Sequence, residues 1–134
     1  MTRRAHIAVG GDPSAVASAR HRVMAQVEAW GIRLGDEQKG AIELVASELI
    51  TNAVVHAGGF ATVGLRLDDE RLILVVQDRS PEPPWRQVTA DDDEGGRGLV
   101  LVDFLTARNG WEPTSHGKKV WAEFRAQPAE SPAA

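Results

Sequence analysis

The chain has no cysteine, which rules out disulfides, thiolate metal sites and a cysteine nucleophile. It also lacks any apolar run approaching the roughly 20 residues that a membrane-spanning helix needs. Met1-Thr2-Arg3-Arg4 gives a basic start with no apolar stretch behind it, so no secretory signal is read there. An excess of one charge is missing too. The formal net charge is −4 and the signs are mixed, which leaves no basic footprint for nucleic acid. No internal repeat is visible. What remains is a chain of 134 residues, 43% hydrophobic and 25% charged, sized for one domain with one core. The expectation is a cytoplasmic protein, with no membrane and no direct nucleic-acid partner.

Ala5, Ile7 and Val9 alternate and predict a short edge strand. Asp12-Pro13-Ser14 reads as a helix start with Asp12 as N-cap. Val16, Val23, Val27 and Trp30 then share one face, Arg20, Arg22 and Glu28 the other, and Gly31 ends the helix. A second helix is expected from Asp36 to about Ala57, stopped by Gly58-Gly59, with Ile42, Val45, Leu49 and Ala53 as its buried stripe. Ala61, Val63, Leu65 and Leu67 alternate as a strand, and Asp68-Asp69-Glu70 supplies a turn. Leu72 to Val76 is apolar on both faces and predicts a central strand. Pattern vanishes from Ser80 to Gly96, and a loop of that length is expected to be a functional lid or disordered. A helix from about Arg97 to Thr106 follows, then a hairpin of Trp111 and Val120–Phe124 around Ser115-His116-Gly117. The domain is expected to cover residues 1–126, with 127–134 a disordered tail. The order of elements predicts an α+β fold, a two-layer sandwich with helices on one face of a mixed, mostly antiparallel sheet.

Three places carry candidate chemistry. Glu48, Asn52 and His56 stand four apart and line one stripe of the second helix. An amide oxygen can ligate Mg²⁺ and a carboxylate one turn away can take a proton from an attacking hydroxyl. A solvated helix face would look the same, and the spacing does not make a convincing zinc site. Asp78 closes an apolar strand, either as a solvated strand end or as the polar floor of a pocket. Gly95-Gly96-Arg97-Gly98-Leu99 joins a loop to a helix, where free N–H groups can hold an anion, or where a hinge can bend. No Lys-Ser/Thr pair follows, so it is not a Walker A loop, and Val100 and Leu101 spoil a dinucleotide fingerprint.

Together and in this order, these segments resemble the GHKL, or histidine-kinase-like, ATPases. Glu48-Leu-Ile-Thr-Asn52-Ala-Val-Val-His56-Ala resembles the N box, and Val76-Gln-Asp78-Arg-Ser80 with Pro84 after it resembles the G1 box. Gly96-Arg97-Gly98-Leu99-Val-Leu-Val is similar to the G2 box, and Gly117-Lys118-Lys119-Val120-Trp121-Ala-Glu-Phe124 to the closing strand of the anti-sigma-factor serine/threonine kinase branch, actinobacterial type. The resemblance implies the Bergerat-type sandwich, with ATP and Mg²⁺ as ligands. It implies Glu48 as general base, Asn52 as the Mg²⁺ ligand, Asp78 as acceptor of the adenine amino group, and Gly96, Arg97, Gly98 and Leu99 around the phosphates. It further implies a sigma factor and an anti-sigma-factor antagonist as partners, phosphate transfer to a serine or threonine of that antagonist, and a homodimer. Arg20 is a candidate partner contact on the first helix. Where the wider family has Asp-x-Gly-x-Gly, Asp78 here is followed by Arg79-Ser80-Pro81, which changes the shape of the loop beyond it. The alternative is a nucleotide-binding module that sequesters a partner without transferring phosphate. Since an ionised carboxylate only accepts hydrogen bonds, Asp78 by itself predicts that ATP and ADP bind and GTP does not.

Overall fold

The computed structural model describes residues 2–84 and 102–126. The expected lid from residue 85 onward, the G2-like glycines and the tail at 127–134 lie outside the described residues. Alternation in the first residues produces β1 (Thr2–Val9), an edge strand with Ile7 and Val9 buried. It is followed by α1 (Ala15–Ala29) and α2 (Asp36–Thr51), a π turn (Asn52–His56), β2 (Ala61–Asp68) and β3 (Arg71–Asp78). Residues 102–105 are helical, and the hairpin of β4 (Arg108–Pro113) and β5 (Lys118–Arg125) ends the described chain.

The five strands lie in the order β1-β2-β3-β5-β4. All of these pairings are antiparallel, within the mostly antiparallel α+β sandwich that was expected. Register carries the core across the sheet. Val63 faces Val76, Leu65 faces Leu74, and Leu74 in turn faces Ala122, all of them buried. Strand neighbours out of phase with this row, such as Arg66 and Gln77, are exposed. The doubly apolar β3 is indeed central.

Both helices cover the buried face. In α1 the buried side chains are Ala19, Val23 and Val27, at helical spacing. In α2 they are Ile42, Val45, Ala46, Leu49 and Ile50. Two sequence expectations shift here. Asp12 does not cap α1, whose N-cap is Ser14; instead its Oδ1 accepts the Ser14 N–H at 3.0 Å, a turn that leads into the helix. Arg20 does not stand free on an exposed face. Its Nη1 donates to Ser47 Oγ at 3.3 Å and its Nε lies 3.7 Å from Glu43 Oε2, so it ties α1 to α2. Gly31 and Gly58 take φ of 71° where α1 and the π turn end, a conformation that glycine adopts without strain.

Candidate functional site

The site is built where α2 runs out over the ends of β3 and β5. At Thr51 the helix stops being α-helical, and the N–H of Ala57 donates to the carbonyl of Asn52, five residues back, at 2.9 Å. Such one-turn π segments widen a helix locally and recur at functional sites. Here the turn brings Asn52, Ala53, His56 and Ala57 onto the rim of a cleft of about 320 Å³. Leu49, Val76 and Val120 give it apolar walls, and Ser80, Pro83 and Pro84 line its mouth.

Its floor is a buried ion pair. Asp78 and Lys118 are direct partners in the β3–β5 register, so their side chains emerge side by side on the core face. The side chains are 4% and 5% exposed, and Lys118 Nζ donates to Asp78 Oδ1 at 3.0 Å. The same oxygen accepts the Ser80 N–H at 2.9 Å, closing a turn at the end of β3. Lys118 Nζ also donates to the Ser80 carbonyl at 3.3 Å. Every polar group of this cluster thus supports another. Removing a buried charge from water is costly unless such partners exist.

Gly117 lets the strands come this close. A Cβ on it would sit 2.0 Å from the Asp78 carbonyl oxygen and 2.7 Å from the Arg79 backbone. Nothing flexible can yield there, because all three contacts are backbone. Gly117→Ala is therefore expected to cost about 3 kcal/mol, the upper end for an overpacked site. Urea denaturation measures it, and a loss below about 1 kcal/mol would show that the backbone relaxes without strain.

Of the residues singled out in the sequence, the fold brings Asn52, His56 and Asp78 together in one cleft. Glu48 stands one turn before Asn52, half-buried, and is not among the residues lining the cleft. Gly96, Arg97, Gly98 and Leu99 lie outside the described residues. Lys118 is the member that sequence reasoning missed. The signal was there: Lys118 is in phase with Val120, Ala122 and Phe124, so it must face the core, while Lys119 turns outward to Glu112 at 3.5 Å. A larger groove of about 900 Å³ lies at the opposite end of the helices, among Ile32, Leu34, Gln38 and Arg125, and holds none of the candidate site residues.

Among the described residues no helix is long and apolar enough to cross a membrane. No curated protein matches this sequence. Among solved structures, that of the RsbU and RsbW domains of Rv1364c from Mycobacterium tuberculosis is similar, with a TM-score of 0.67 at 17% identity. The match covers 96% of this chain and 34% of that one, so the chain spans about a third of that protein's length, and at this identity the likeness speaks for the fold. The sequence itself matches the family described as the histidine kinase-like ATPase domain over residues 10–124, nearly its whole length and all of the cleft. The chain belongs to the histidine-kinase-like ATPase family, whose members bind ATP.

Proposed function

We propose that this domain is an anti-sigma-factor protein kinase, which transfers phosphate from ATP to a serine or threonine of an antagonist protein and sequesters a sigma factor. The observation that carries the nucleotide part is the convergence of Asn52 and Asp78, from a helix end and a strand end, on one cleft. Apolar walls with a buried carboxylate at the floor fit a purine ring, which needs faces to stack on and an acceptor for its amino group. Among the described residues no cluster of three or more His, Asp or Glu makes a cation cage. An amide oxygen together with phosphate oxygens suits Mg²⁺, and the Asn52 side-chain oxygen on the cleft rim is the ligand this reading gives it. Bound there, it supplies charge neutralisation for phosphoryl transfer.

In this reading each residue has one task. Asp78 accepts the adenine amino group, held in place by Lys118 and the Ser80 N–H. Glu48 takes the proton from the attacking hydroxyl as general base. Gly96, Arg97, Gly98 and Leu99 surround the phosphates through backbone and side chain. Similarity in fold to a structure that includes an RsbW domain supports the anti-sigma assignment and the partner classes.

Incubating the protein with labelled ATP, Mg²⁺ and candidate antagonist proteins tests this directly, phosphoserine or phosphothreonine on an antagonist being the expected product. Asp78→Ala is expected to weaken ATP binding by about 1.5–3 kcal/mol, the range for a hydrogen bond to a charged group. Calorimetric titration reads that loss, and undiminished binding would remove Asp78 from the role of base reader. A second reading has an observation of its own. Glu48 is absent from the cleft lining, as suits a module that binds nucleotide and a partner without transferring phosphate. ATP binding with no transfer to any antagonist would select it.

A further inference from the structure

We propose that the outward face of the sheet is a docking surface for an amphipathic helix with acidic flanks, presented by a partner protein. Asp78 and Lys118 point to the opposite face, so the nucleotide reading has no part in it. Both helices cover that opposite face, and among the described residues no element covers the outward one. Strand alternation nevertheless puts apolar side chains there. Val75 faces Trp121 in the register, Ile73 follows two residues on, and all three are half-buried. Gly110, the neighbour of Trp121 on β4, lets the indole lie low, since a Cβ there would sit 2.8 Å from the ring. The centre of this face is thus apolar and flat. Five strands of up to eight residues make it about 20 Å by 27 Å. That is roughly 500 Å², enough for one side of a specific interface.

Charge says what the occupant carries. The chain has a formal net charge of −4, yet this face is basic. Its outward carboxylates are all matched: Asp68 by Arg66 and Arg71, Glu123 by Arg71, and Glu112 by Lys119, at 3.2 to 3.9 Å. Arg4, Arg79 and Arg108 are exposed and pair with no carboxylate among the described residues. Arg79 lies over the Phe60 ring at 5.8 Å and Arg108 over Trp121 at 5.9 Å. A ring leaves the positive charge in place, so each guanidinium can still take a carboxylate. Arg4 and Arg108 end one row across the sheet, through Arg66, Ile73 and Glu123, and so flank the apolar centre. Phosphates of a nucleic acid would lie on that centre without a counter-charge; an apolar stripe between carboxylates fits it. Aromatic residues and arginine are also what protein interfaces favour. The backbone decides the shape of the occupant. A strand needs an open sheet edge, whereas a sheet face offers no backbone N–H or C=O. A helix satisfies its own backbone and can lie there, as α1 and α2 do on the other side.

The experiment is an NMR titration of the isotope-labelled full chain with a synthetic helix that carries a leucine stripe flanked by glutamates. The expected result is a set of shift changes centred on Ile73, Val75 and the Trp121 indole N–H. The same helix with lysines in place of the glutamates should bind about tenfold more weakly or worse. Arg4→Glu combined with Arg108→Glu turns two attractive rim contacts into repulsive ones and should invert that order. Shift changes centred on α1 and α2 overturn the proposal, as do equal binding of the two helices and no binding at about 1 mM peptide. Tighter binding of duplex DNA or of anionic lipid vesicles to the same arginines overturns it as well. So does a dimer of the chain alone, seen by sedimentation, that buries Trp121. The comparison of the two helices on the wild type decides even where the variant does not fold.

Discussion

Glu48→Gln should leave nucleotide binding intact while phosphate transfer falls by roughly 10²–10⁴-fold, the usual contribution of a general base. The substitution keeps the size and polarity of the side chain and removes its capacity to hold a proton at neutral pH. Glu48 is half-buried on α2, one turn before Asn52, and does not line the cleft around Asp78. Losing its charge should therefore disturb neither the walls nor the floor. Asn52→Ala makes the contrast, since it removes the proposed Mg²⁺ ligand from the cleft rim and should weaken Mg²⁺-dependent binding itself. Parallel calorimetry and transfer of labelled phosphate to an antagonist separate the two. A Glu48→Gln protein that phosphorylates its antagonist at the wild-type rate would eliminate Glu48 as the base.

Lys118→Met should lower the stability of the fold by about 3–5 kcal/mol, the cost of leaving the other member of a buried ion pair alone. The methionine fills similar space, so the loss measures charge rather than a cavity. With Lys118 gone, Asp78 keeps the Ser80 N–H but loses its counter-ion at a site where both side chains are nearly inaccessible. Asp78→Asn combined with Lys118→Met removes both charges and should recover most of the loss. Urea denaturation of the three variants and the wild type closes a double-mutant cycle. Lys118→Met within about 1 kcal/mol of wild type would mean that the pair contributes nothing in solution.

Much of the architecture follows from side-chain period. Ala61 to Leu67 alternates cleanly because β2 buries one face only, whereas in the apolar run Leu72 to Val76 the second face, Ile73 and Val75, is half-buried. Asp78 could be placed at a strand end from the sequence, yet whether it was solvated or buried depended on its neighbour across the sheet. That neighbour lies 40 residues away, and no local pattern announces the pairing. Lys118 was legible in part, since two adjacent lysines in a strand point to opposite faces and one must turn inward. The π turn was not legible. Asn52-Ala-Val-Val-His56 contains ordinary helix residues, and no local pattern sets it apart from the α-helix before it, although in the fold it packs against β3. Arg20 was misread because it stands among exposed neighbours such as His21 and Arg22, while its long side chain reaches across to Ser47 and Glu43.

The separation of Asp78 from Lys118 also has a kinetic side. Closing a loop of 40 residues must precede the reward of the contact, whereas β2 and β3 pair across a two-residue turn at Asp69 and Glu70. A folding chain can form α1, α2 and the β2–β3 hairpin from nearby contacts and still have no floor to its cleft. The buried Asp78–Lys118 pair comes into being only when β5 docks against β3 and Gly117 settles on the Asp78 carbonyl. If the cleft holds nucleotide as proposed, that capacity belongs to the finished sheet, and nucleotide binding would report that the last strand has joined.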